Sequence, residues 1–297
     1  MLDKSIDTIT KNVYDISMMK KEVSVIMPAF NRVALLKKAA ESVLSQSYQN
    51  FEFIVVDDDS DDDIKKLILS LKKDIIYINQ KNKGPAAARN TGIKASRRKL
   101  LAFLDSDDCW DKEKLSIQIN EMNKKPSYLI SHTQELWYEN GKLLNQKKRH
   151  KKFHGYIYEK CLPLCVVSMS TVIVRRKVFD IVGLFDESLP CCEDYDFWLR
   201  TSIKYPFLLI NKPLTLKGGG RKDQVSYIYR TGMDKYRIKA ISKILDIPDI
   251  LSDEQKGLTR QELARKCRIY GKGCIKHKKV EEGNYYLNLP EKYAAKT

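Results

Sequence analysis

The sequence contains no glycine-rich phosphate-binding loop. There is no Gly-x-Gly-x-x-Gly after the first predicted strand and no Walker-type lysine loop anywhere in the chain. These absences argue against the dinucleotide-binding and P-loop classes, whose backbone amides cradle phosphates directly. A chain of this kind that binds a diphosphate needs another source of positive charge, such as a metal ion.

Long apolar runs and paired cysteine motifs are also missing. No stretch approaches the length of a membrane-spanning helix, and residues 1–21 hold no compact apolar block of the secretory type. We therefore expect a loose or helical leader over 1–21 and a cytoplasmic protein. The seven cysteines are irregularly spaced with no Cys-x-x-Cys pair, which favours buried reduced thiols over a zinc site. With only 13 Gly and 9 Pro among 297 residues, the chain is not of low complexity.

Positive charge is abundant and unevenly distributed. The net charge is +16, and residues 217–279 carry 17 lysines and arginines against 7 acids, a net +10. Such a region can bind a nucleic acid, an anionic membrane or a phosphorylated substrate. A solvated basic helix face is an equally simple interpretation, so charge alone does not choose among them.

Apolar runs and amphipathic segments alternate through the first hundred residues. The pattern predicts strands at 23–27, 51–56, 75–78 and 100–104, and helices at 33–47, 64–71 and 84–96, with Asn31 as the cap of the first helix. Short β-α-β connections of this kind are typical of an α/β fold, a mostly parallel sheet flanked by helices. Ligands of such sheets bind at the carboxyl ends of the strands.

Two acidic turns fall at those strand ends. Asp57-Asp58-Asp59 follows the second strand, and Asp105, Asp107 and Asp108 follow the fourth. Crowded carboxylates repel one another unless a cation lies among them, and Mg²⁺ or Mn²⁺ prefers oxygen ligands. A solvated acidic turn or a helix cap is the alternative, but two such turns at neighbouring strand ends favour a nucleotide or metal site.

The pattern changes after residue 113. We expect a helix at 114–123, strands at 128–138 and 166–174, and a helix that begins near Glu193 and Asp194. These two acids fit helix N-capping, and they equally fit a catalytic base at the mouth of the site. For the tail, the pattern predicts helices at 227–245 and 252–272 and a last helical stretch through Tyr286.

Five segments resemble the family 2 glycosyltransferases with the nucleotide-diphospho-sugar transferase (GT-A) fold. They occur in the family's order and with similar spacing over roughly residues 22–215. The segments are SVIMPAFNR at 24–32, IVVDDDS at 54–60, GPAAARN at 84–90, FLDSDD at 103–108 and EDYDFWL at 193–199. The resemblance implies a GT-A domain at 22–226 and a basic helical extension at 227–297.

The resemblance also implies an activity and a set of site residues. The activity is metal-dependent, inverting transfer of a sugar from a nucleotide-sugar donor to a glycan or lipid-linked glycan acceptor. By family habit the expected donor is a UDP-sugar. Asp194 resembles the general base, and Glu193 supports it. A divalent cation, Mn²⁺ or Mg²⁺, is expected at Asp105, Asp107 and Asp108. Donor contacts are expected at Pro28, Ala29, Arg32, Asp58, Arg89, Asp105, Ser106 and Arg221.

Two positions depart from the family's pattern. Asp59 stands where relatives more often have glycine, which adds charge and removes backbone freedom. Arg221 stands where many relatives carry a histidine that binds metal or diphosphate. Arginine cannot ligate a metal, but it can clamp a phosphate, and the adjacent glycines would let this loop close over the donor.

Two other classes of protein compete with this interpretation. A nucleotidyltransferase of related fold would need a Gly-rich, Arg-containing first loop, which is missing. A nucleic-acid-binding protein would explain the charge but not the acidic turns, which repel phosphates, so no nucleic-acid partner is expected. Docking of the basic tail on the inner face of a membrane competes with a simpler role, in which those helices cover the catalytic domain, and the simpler role is favoured.

Overall fold

The computed structural model describes residues 22–61, 63–71, 73–139 and 141–294. The expected leader at 1–21 lies outside the described residues. Within them the chain forms one sheet of nine strands. The predicted class, an α/β fold with a mostly parallel sheet flanked by helices, is confirmed.

The strands alternate with helices through the first half of the chain and are followed by a helical C-terminal region. The strands are β1 Val23–Ala29, β2 Phe51–Asp57, β3 Ile75–Asn79, β4 Leu100–Phe103, β5 Cys109–Trp110, β6 Ile130–Glu139, β7 Lys142–Leu144, β8 Ile173–Arg175 and β9 Phe207–Gly219. The α-helices are α1 Val33–Leu44, α2 Ile64–Ser70, α3 Gly84–Ala95, α4 Lys114–Lys124, α5 Tyr158–Cys161, α6 Lys177–Val182, α7 Glu193–Ser202, α8 Val225–Ile228, α9 Met233–Leu245, α10 Asp253–Lys276 and α11 Val280–Asn288. Short 3₁₀ turns occur at Lys148–His150, Met169–Thr171 and Leu289–Tyr293.

The first four strands form the parallel half of the sheet, whose full order is β3-β2-β1-β4-β8-β6-β9-β5 with β7 paired to β6. β1 lies between β2 and β4, and β3 pairs with the outer side of β2, all in parallel. The apolar runs of β1, β2 and β4 are buried because helices cover both faces, as expected for a parallel sheet, whereas β3 at the edge is only partly buried. β1 continues through Pro28 to Ala29, two residues beyond the strand predicted at 23–27.

The second half of the sheet is mixed. β8 joins β4 and β6 in antiparallel pairs, whereas β6 and the long β9 run parallel. The strand predicted at 166–174 was wrong, because only Ile173–Arg175 is a strand and a 3₁₀ turn precedes it. Ser170 Oγ donates a hydrogen bond to Asp108 of the acidic turn, and the Ser170 carbonyl accepts one from Trp110 Nε1. These bonds hold the segment in its 3₁₀ turn.

The helix boundaries differ from the sequence pattern at two places that matter for the site. Asn31 does not cap α1; the capping position is Arg32, and both residues have positive φ, so the chain turns sharply after β1. The helix predicted at 227–245 is broken at Gly232, whose φ of 98° suits glycine. The last long helix begins as predicted, with Ser252 in a capping box with Gln255.

The C-terminal helices pack onto the same core as the sheet domain. Ile238, Ile241 and Leu263 share one buried cluster with Phe197 and Trp198 of α7. The sheet and the C-terminal region therefore bury a common apolar surface, which anchors α7 and the residues at its start. Among the helices of the described residues, none combines the length and the apolar character needed to cross a membrane.

Candidate active site

A cavity of about 1160 Å³ opens at the carboxyl ends of β1, β2 and β4. Every site residue predicted from the sequence except Arg221 is part of its wall, and Arg221 reaches Asp107 at that wall. The wall includes Pro28, Ala29, Arg32, Asp58, Arg89, Asp105, Ser106, Asp107, Asp108, Glu193 and Asp194. The fold thus brings together distant residues, of which Pro28 and Asp194 are 166 positions apart in the sequence.

Asp58 ties the end of β2 to the start of α3. Its Oδ1 accepts hydrogen bonds from Gln80 Nε2 (2.7 Å) and from the Lys83 amide (3.0 Å), and its Oδ2 accepts one from the Gly84 amide (2.7 Å). The carboxylate therefore satisfies amides at the helix N-terminus, where negative charge is favoured. The next residue, Asp59, has a φ of 69°, the left-handed region in which glycine would be unstrained.

Arg89 of α3 bridges the acidic turn and the start of α7. Its guanidinium donates to Glu193 Oε1 at 2.5 Å and to Asp105 Oδ1 at 2.7 Å. Burial works to raise the pKa of Asp105, but the charge of Arg89 outweighs it and the pKa is lowered. Burial raises the pKa of Glu193 against the opposing charge of Arg89. The arrangement fixes two carboxylates from separate segments at one edge of the cavity.

Asp107 is held by the loop that contains Arg221. Arg221 donates to Asp107 Oδ2, Gln224 Nε2 donates to the same oxygen at 3.0 Å, and Arg32 Nη1 lies 3.8 Å from it. Gly218 makes this approach sterically possible, because a Cβ there would lie 2.5 Å from the Asp107 carbonyl oxygen. Two guanidinium groups therefore meet at one carboxylate on the cavity wall.

Asp108 lines the cavity, but its side chain is buried and bonded to neighbouring segments of the chain. Its Oδ2 accepts from Ser170 Oγ (2.6 Å) and its Oδ1 from the Gly218 amide (3.0 Å). Burial raises its pKa to about 8, the charges of Asp107 and Asp105 add to that effect, and Lys217 opposes it. Asp108 thus anchors the turn to β9.

Asp194 stands in the first turn of α7, after Cys192, whose φ of 65° bends the chain into the helix. Its Oδ1 accepts from the Tyr195 amide at 2.6 Å, and the Cys165 thiol donates to its Oδ2 at 3.4 Å. Burial raises the pKa of Cys165, and the charge of Asp194 adds to this effect, so the thiol remains protonated and a donor. The carboxylate faces the cavity in a fixed orientation, as a proton acceptor requires.

The acidic turn fits a hard divalent cation by its donor chemistry. Asp105 and Asp107 present carboxylate oxygens to the cavity, and Mg²⁺ is usually held by one or two carboxylates together with substrate phosphates and water. No group of three His, Cys, Asp or Glu side chains arranged as a metal cage occurs in the described part of the chain. A cation here would therefore depend on oxygens from a bound phosphate, and Arg221 would have to leave Asp107.

The cavity also contains side chains that the sequence analysis missed. They are Glu135 of β6, Lys152, Cys165 and Lys217 of β9. Lys217 directly precedes the Gly218-Gly219-Gly220 segment, and that adjacency was the one available signal. The other three lie in segments without a distinctive motif: Glu135 comes to the cavity on β6, which pairs with β9, and Lys152 and Cys165 reach it from loops.

Comparison with known proteins identifies the family. The glycosyl transferase family 2 model matches residues 24–182, and the chain belongs to this family. An uncharacterized glycosyltransferase of Rickettsia felis is 39% identical over 197 residues, which are 65% of this chain. The chain spans about a third (32%) of that relative's length.

One relative of similar length has a name that states its activity. The UDP-Glc:α-D-GlcNAc-diphosphoundecaprenol β-1,3-glucosyltransferase WfgD of Escherichia coli is 34% identical over 182 residues, 60% of this chain and 68% of that protein. Among solved structures, TarS 1-349 of S. aureus in complex with UDP-GlcNAc has a TM-score of 0.65 at 16% identity, covering 93% of each chain. The mannosyltransferase PcManGT of Pyrobaculum calidifontis, in complex with GDP-Man and Mn²⁺, has a TM-score of 0.62 at 13% identity, covering 94% of this chain and 77% of that one. These likenesses confirm the predicted GT-A fold.

Proposed function

We propose that this chain is a glycosyltransferase of the hexosyltransferase type. It transfers a sugar from a nucleoside-diphosphate donor, a UDP-sugar, to a hydroxyl of a lipid-linked glycan acceptor, with inversion at the anomeric carbon. The observation that carries the proposal is the meeting of the β1, β2 and β4 ends with Asp194 in one cavity. The name of the relative WfgD supports the choice of UDP donor and diphosphate-linked acceptor.

The donor would lie along the strand ends. Pro28, Ala29 and Asp58 line the part of the cavity next to β2 and would contact the nucleoside. Arg32 and Arg221 already lie at Asp107, so their guanidinium groups would meet the diphosphate. Arginine suits this role because its planar fork can pair with two phosphate oxygens at once.

A divalent cation, Mn²⁺ or Mg²⁺, is part of the proposal. Asp107 and Asp105 would hold it, with Asp108 beside them. When bound, the cation supplies positive charge to the leaving diphosphate. For Asp107 to serve as a ligand, Arg221 would have to leave it, and its guanidinium group would then be available to the phosphates. Binding of donor and closure of the loop with Arg221 would be coupled in this way.

The acceptor hydroxyl would approach from the Asp194 side. As the hydroxyl oxygen bonds to the anomeric carbon, the bond from that carbon to the donor diphosphate breaks, and the electron pair leaves with the nucleotide. The hydroxyl proton passes to the Asp194 carboxylate. Cys165 and the Tyr195 amide orient this carboxylate, while Arg89 and Glu193 fix the start of α7.

A binding screen with nucleotide sugars and Mn²⁺ tests the donor half of the proposal. Calorimetry should find a UDP-sugar that binds the wild-type chain, with much weaker binding in EDTA and for Asp107→Asn. Mn²⁺ binding in the presence of UDP, followed by electron paramagnetic resonance, should be lost in the same variant. Absence of binding by every nucleotide sugar would refute the donor site, and binding indifferent to EDTA would refute the cation.

Peripheral contact with the inner face of the membrane is the corresponding proposal for location. One exposed face of α10 carries Arg268, Lys272 and Lys276 beside the exposed apolar residues Ile269 and Ile275. Basic and apolar side chains on one helix face suit an anionic lipid surface, where a lipid-linked acceptor would reside. Cytoplasmic location is part of the same proposal.

Much of the remaining basic charge of the tail serves internal pairs. Lys243 lies 2.6 Å from Asp186 and 2.7 Å from Asp196, and the buried Lys266 lies 3.1 Å from Glu262. These lysines hold the C-terminal helices to the domain and are poor candidates for lipid contact. The exposed face of α10 is therefore the part to test.

Cosedimentation with phosphatidylglycerol vesicles tests this location. Charge reversal at Arg268, Lys272 and Lys276 to glutamate should weaken binding by roughly a hundredfold or more, since each basic residue near such a surface contributes about 1 kcal/mol. The matched control reverses Lys65, Lys66 and Lys73, which are exposed near α2. Equal binding by the two triple variants would reject the membrane contact.

A further inference from the structure

Three charged side chains form a part of the cavity wall that the proposed donor chemistry does not use. Glu135 and Lys152 are almost fully buried, with side chains 1% and 2% exposed, and Lys217 lines the same cavity from β9. Lys152 Nζ lies 3.1 Å from Glu135 Oε1, and Ser168 Oγ contacts both groups, at 2.9 Å and 3.0 Å. A buried ion pair is costly to form, so its presence on a cavity wall points to a role at the site.

This wall connects the candidate base to the acidic turn. The Cys165 thiol bonds to Asp194, and the charge of Lys152 acts on that thiol. Lys217 in turn acts on both Glu135 and Asp108. We call this surface the β6–β9 wall, and it comprises Glu135, Trp137, Lys152, Cys165 and Lys217.

Lys217 is the one member of the wall whose charge is not matched by a contact. Lys152 is neutralised by Glu135, whereas the Lys217 ammonium makes no hydrogen bond or ion pair with any part of the chain that the structure describes. Carboxylates lie around it at longer range, with Asp108 and Glu135 acting most strongly, and they raise its pKa despite its burial. It is a cation open to an anionic ligand.

Aromatic surface adjoins this cation. Trp137 of β6 is the register partner of Lys217 on β9, and both line the cavity. The indole is fixed, because its Nε1 donates to Glu135 Oε1 at 2.8 Å and the His150 ring packs 4.7 Å from it. A rigid aromatic ring beside an ammonium group suits a ligand with a sugar ring and a phosphate.

We propose that the β6–β9 wall is the acceptor subsite and that Lys217 binds the diphosphate of a glycosyl diphosphate acceptor, with Trp137 against its sugar ring. The inference rests on the proposed function, which places the attacked hydroxyl at Asp194. Lys217 stands beside Trp137 on the paired strands β6 and β9, and the same wall reaches Asp194 through Cys165, whereas the two arginines lie at Asp107. Lys217 thus serves the acceptor, and the arginines serve the donor.

Calorimetry with two acceptor probes tests the subsite. The probes are N-acetylglucosamine α-linked through diphosphate to an undecyl chain, and undecyl α-N-acetylglucosaminide, which has no phosphate. The wild-type chain should bind the first about tenfold or more tightly than the second, the effect of one charge-assisted contact. Lys217→Gln should lose that preference, whereas Lys217→Arg should keep it and so show that the position tolerates substitution.

The controls separate this subsite from the donor site. Lys142→Gln, at an exposed lysine on β7, should leave both affinities unchanged. UDP affinity should change less than twofold in Lys217→Gln. Equal binding of the two probes by the wild type, or a tenfold loss of UDP affinity with the probe preference retained, would overturn the proposal. A wild-type chain that binds no UDP would instead refute the proposed function, and the probe comparison without UDP would still decide the role of Lys217.

Discussion

Replacement of Arg89 by methionine should destabilise the fold strongly at neutral pH. The guanidinium contacts Glu193 at 2.5 Å and Asp105 at 2.7 Å, and the side chains of Arg89 and Glu193 are only 6% and 7% exposed. Removal of one partner of a buried pair typically costs 3–5 kcal/mol, because the other charge stays buried without compensation. Asp105 is 27% exposed and can regain water, so we expect a loss at the lower end, about 3 kcal/mol.

The pH dependence of this loss has a defined sign. Burial raises the native pKa of Glu193, and Arg89 acts to lower it, so the variant raises it further. A carboxyl with a native pKa above its unfolded value binds more protons in the native state, and stability then falls as the pH rises. The deficit of Arg89→Met should therefore be largest above neutral pH and shrink as the pH falls towards 5.

Urea unfolding followed by circular dichroism measures the effect, with the double variant Arg89→Met/Glu193→Gln as the control. A neutral glutamine removes the buried charge, so the double variant should recover at least half of the lost free energy. If Arg89→Met lowers the free energy of unfolding by less than about 1 kcal/mol, or by the same amount in a Glu193→Gln background, the two side chains are not coupled as the geometry requires.

Three further predictions concern stability away from Arg89. Burial lowers the pKa of Lys114 to about 7, so between pH 7 and 10.5 the unfolded chain binds a proton that the folded chain does not, and the free energy of unfolding should rise with pH over that window. Lys114→Met should flatten this rise and stabilise the chain at pH 7 by about 1–2 kcal/mol. A steeper pH dependence in the variant would count against this reasoning. Gly218→Ala would place a Cβ 2.5 Å from the Asp107 carbonyl oxygen and should cost about 1–3 kcal/mol in urea unfolding, whereas an unchanged midpoint would contradict the close approach. Because Asp59 has a φ of 69°, Asp59→Gly should be more stable than Asp59→Ala by about 1 kcal/mol in thermal unfolding, and equal stability would argue against a left-handed backbone there.

The parallel half of the fold was predictable because its signals are local. Each strand from β1 to β4 is a short apolar run followed by polar residues, and helices separate these four strands along the chain, so their order and direction follow from the chain itself. The acidic turns after β2 and β4 predicted a site at one edge of the sheet, because the carboxyl ends of parallel strands lie at the same edge. The structure brings Asp58 and Asp105 to one cavity there.

The second half depends on contacts between distant segments. Ser170 bonds to Asp108, 62 positions earlier, and this contact replaces the strand that the sequence around it favours. The pairing of Arg89 with Glu193 spans 104 positions, and no local pattern indicates it. Glu135 and Lys217 line the same cavity because β6 pairs in parallel with β9, and the sequence pattern did not predict this pairing.

The transfer rate of Asp194→Asn with a UDP-sugar and the diphosphate-linked acceptor tests the central claim most directly. Asparagine preserves the shape of the side chain but cannot take the acceptor proton, so transfer should fall by about a hundredfold or more while UDP binding stays within twofold. Transfer at the wild-type rate would show that Asp194 is not the base, and the assignment of this cavity as a glycosyl-transfer site would lose its catalytic residue.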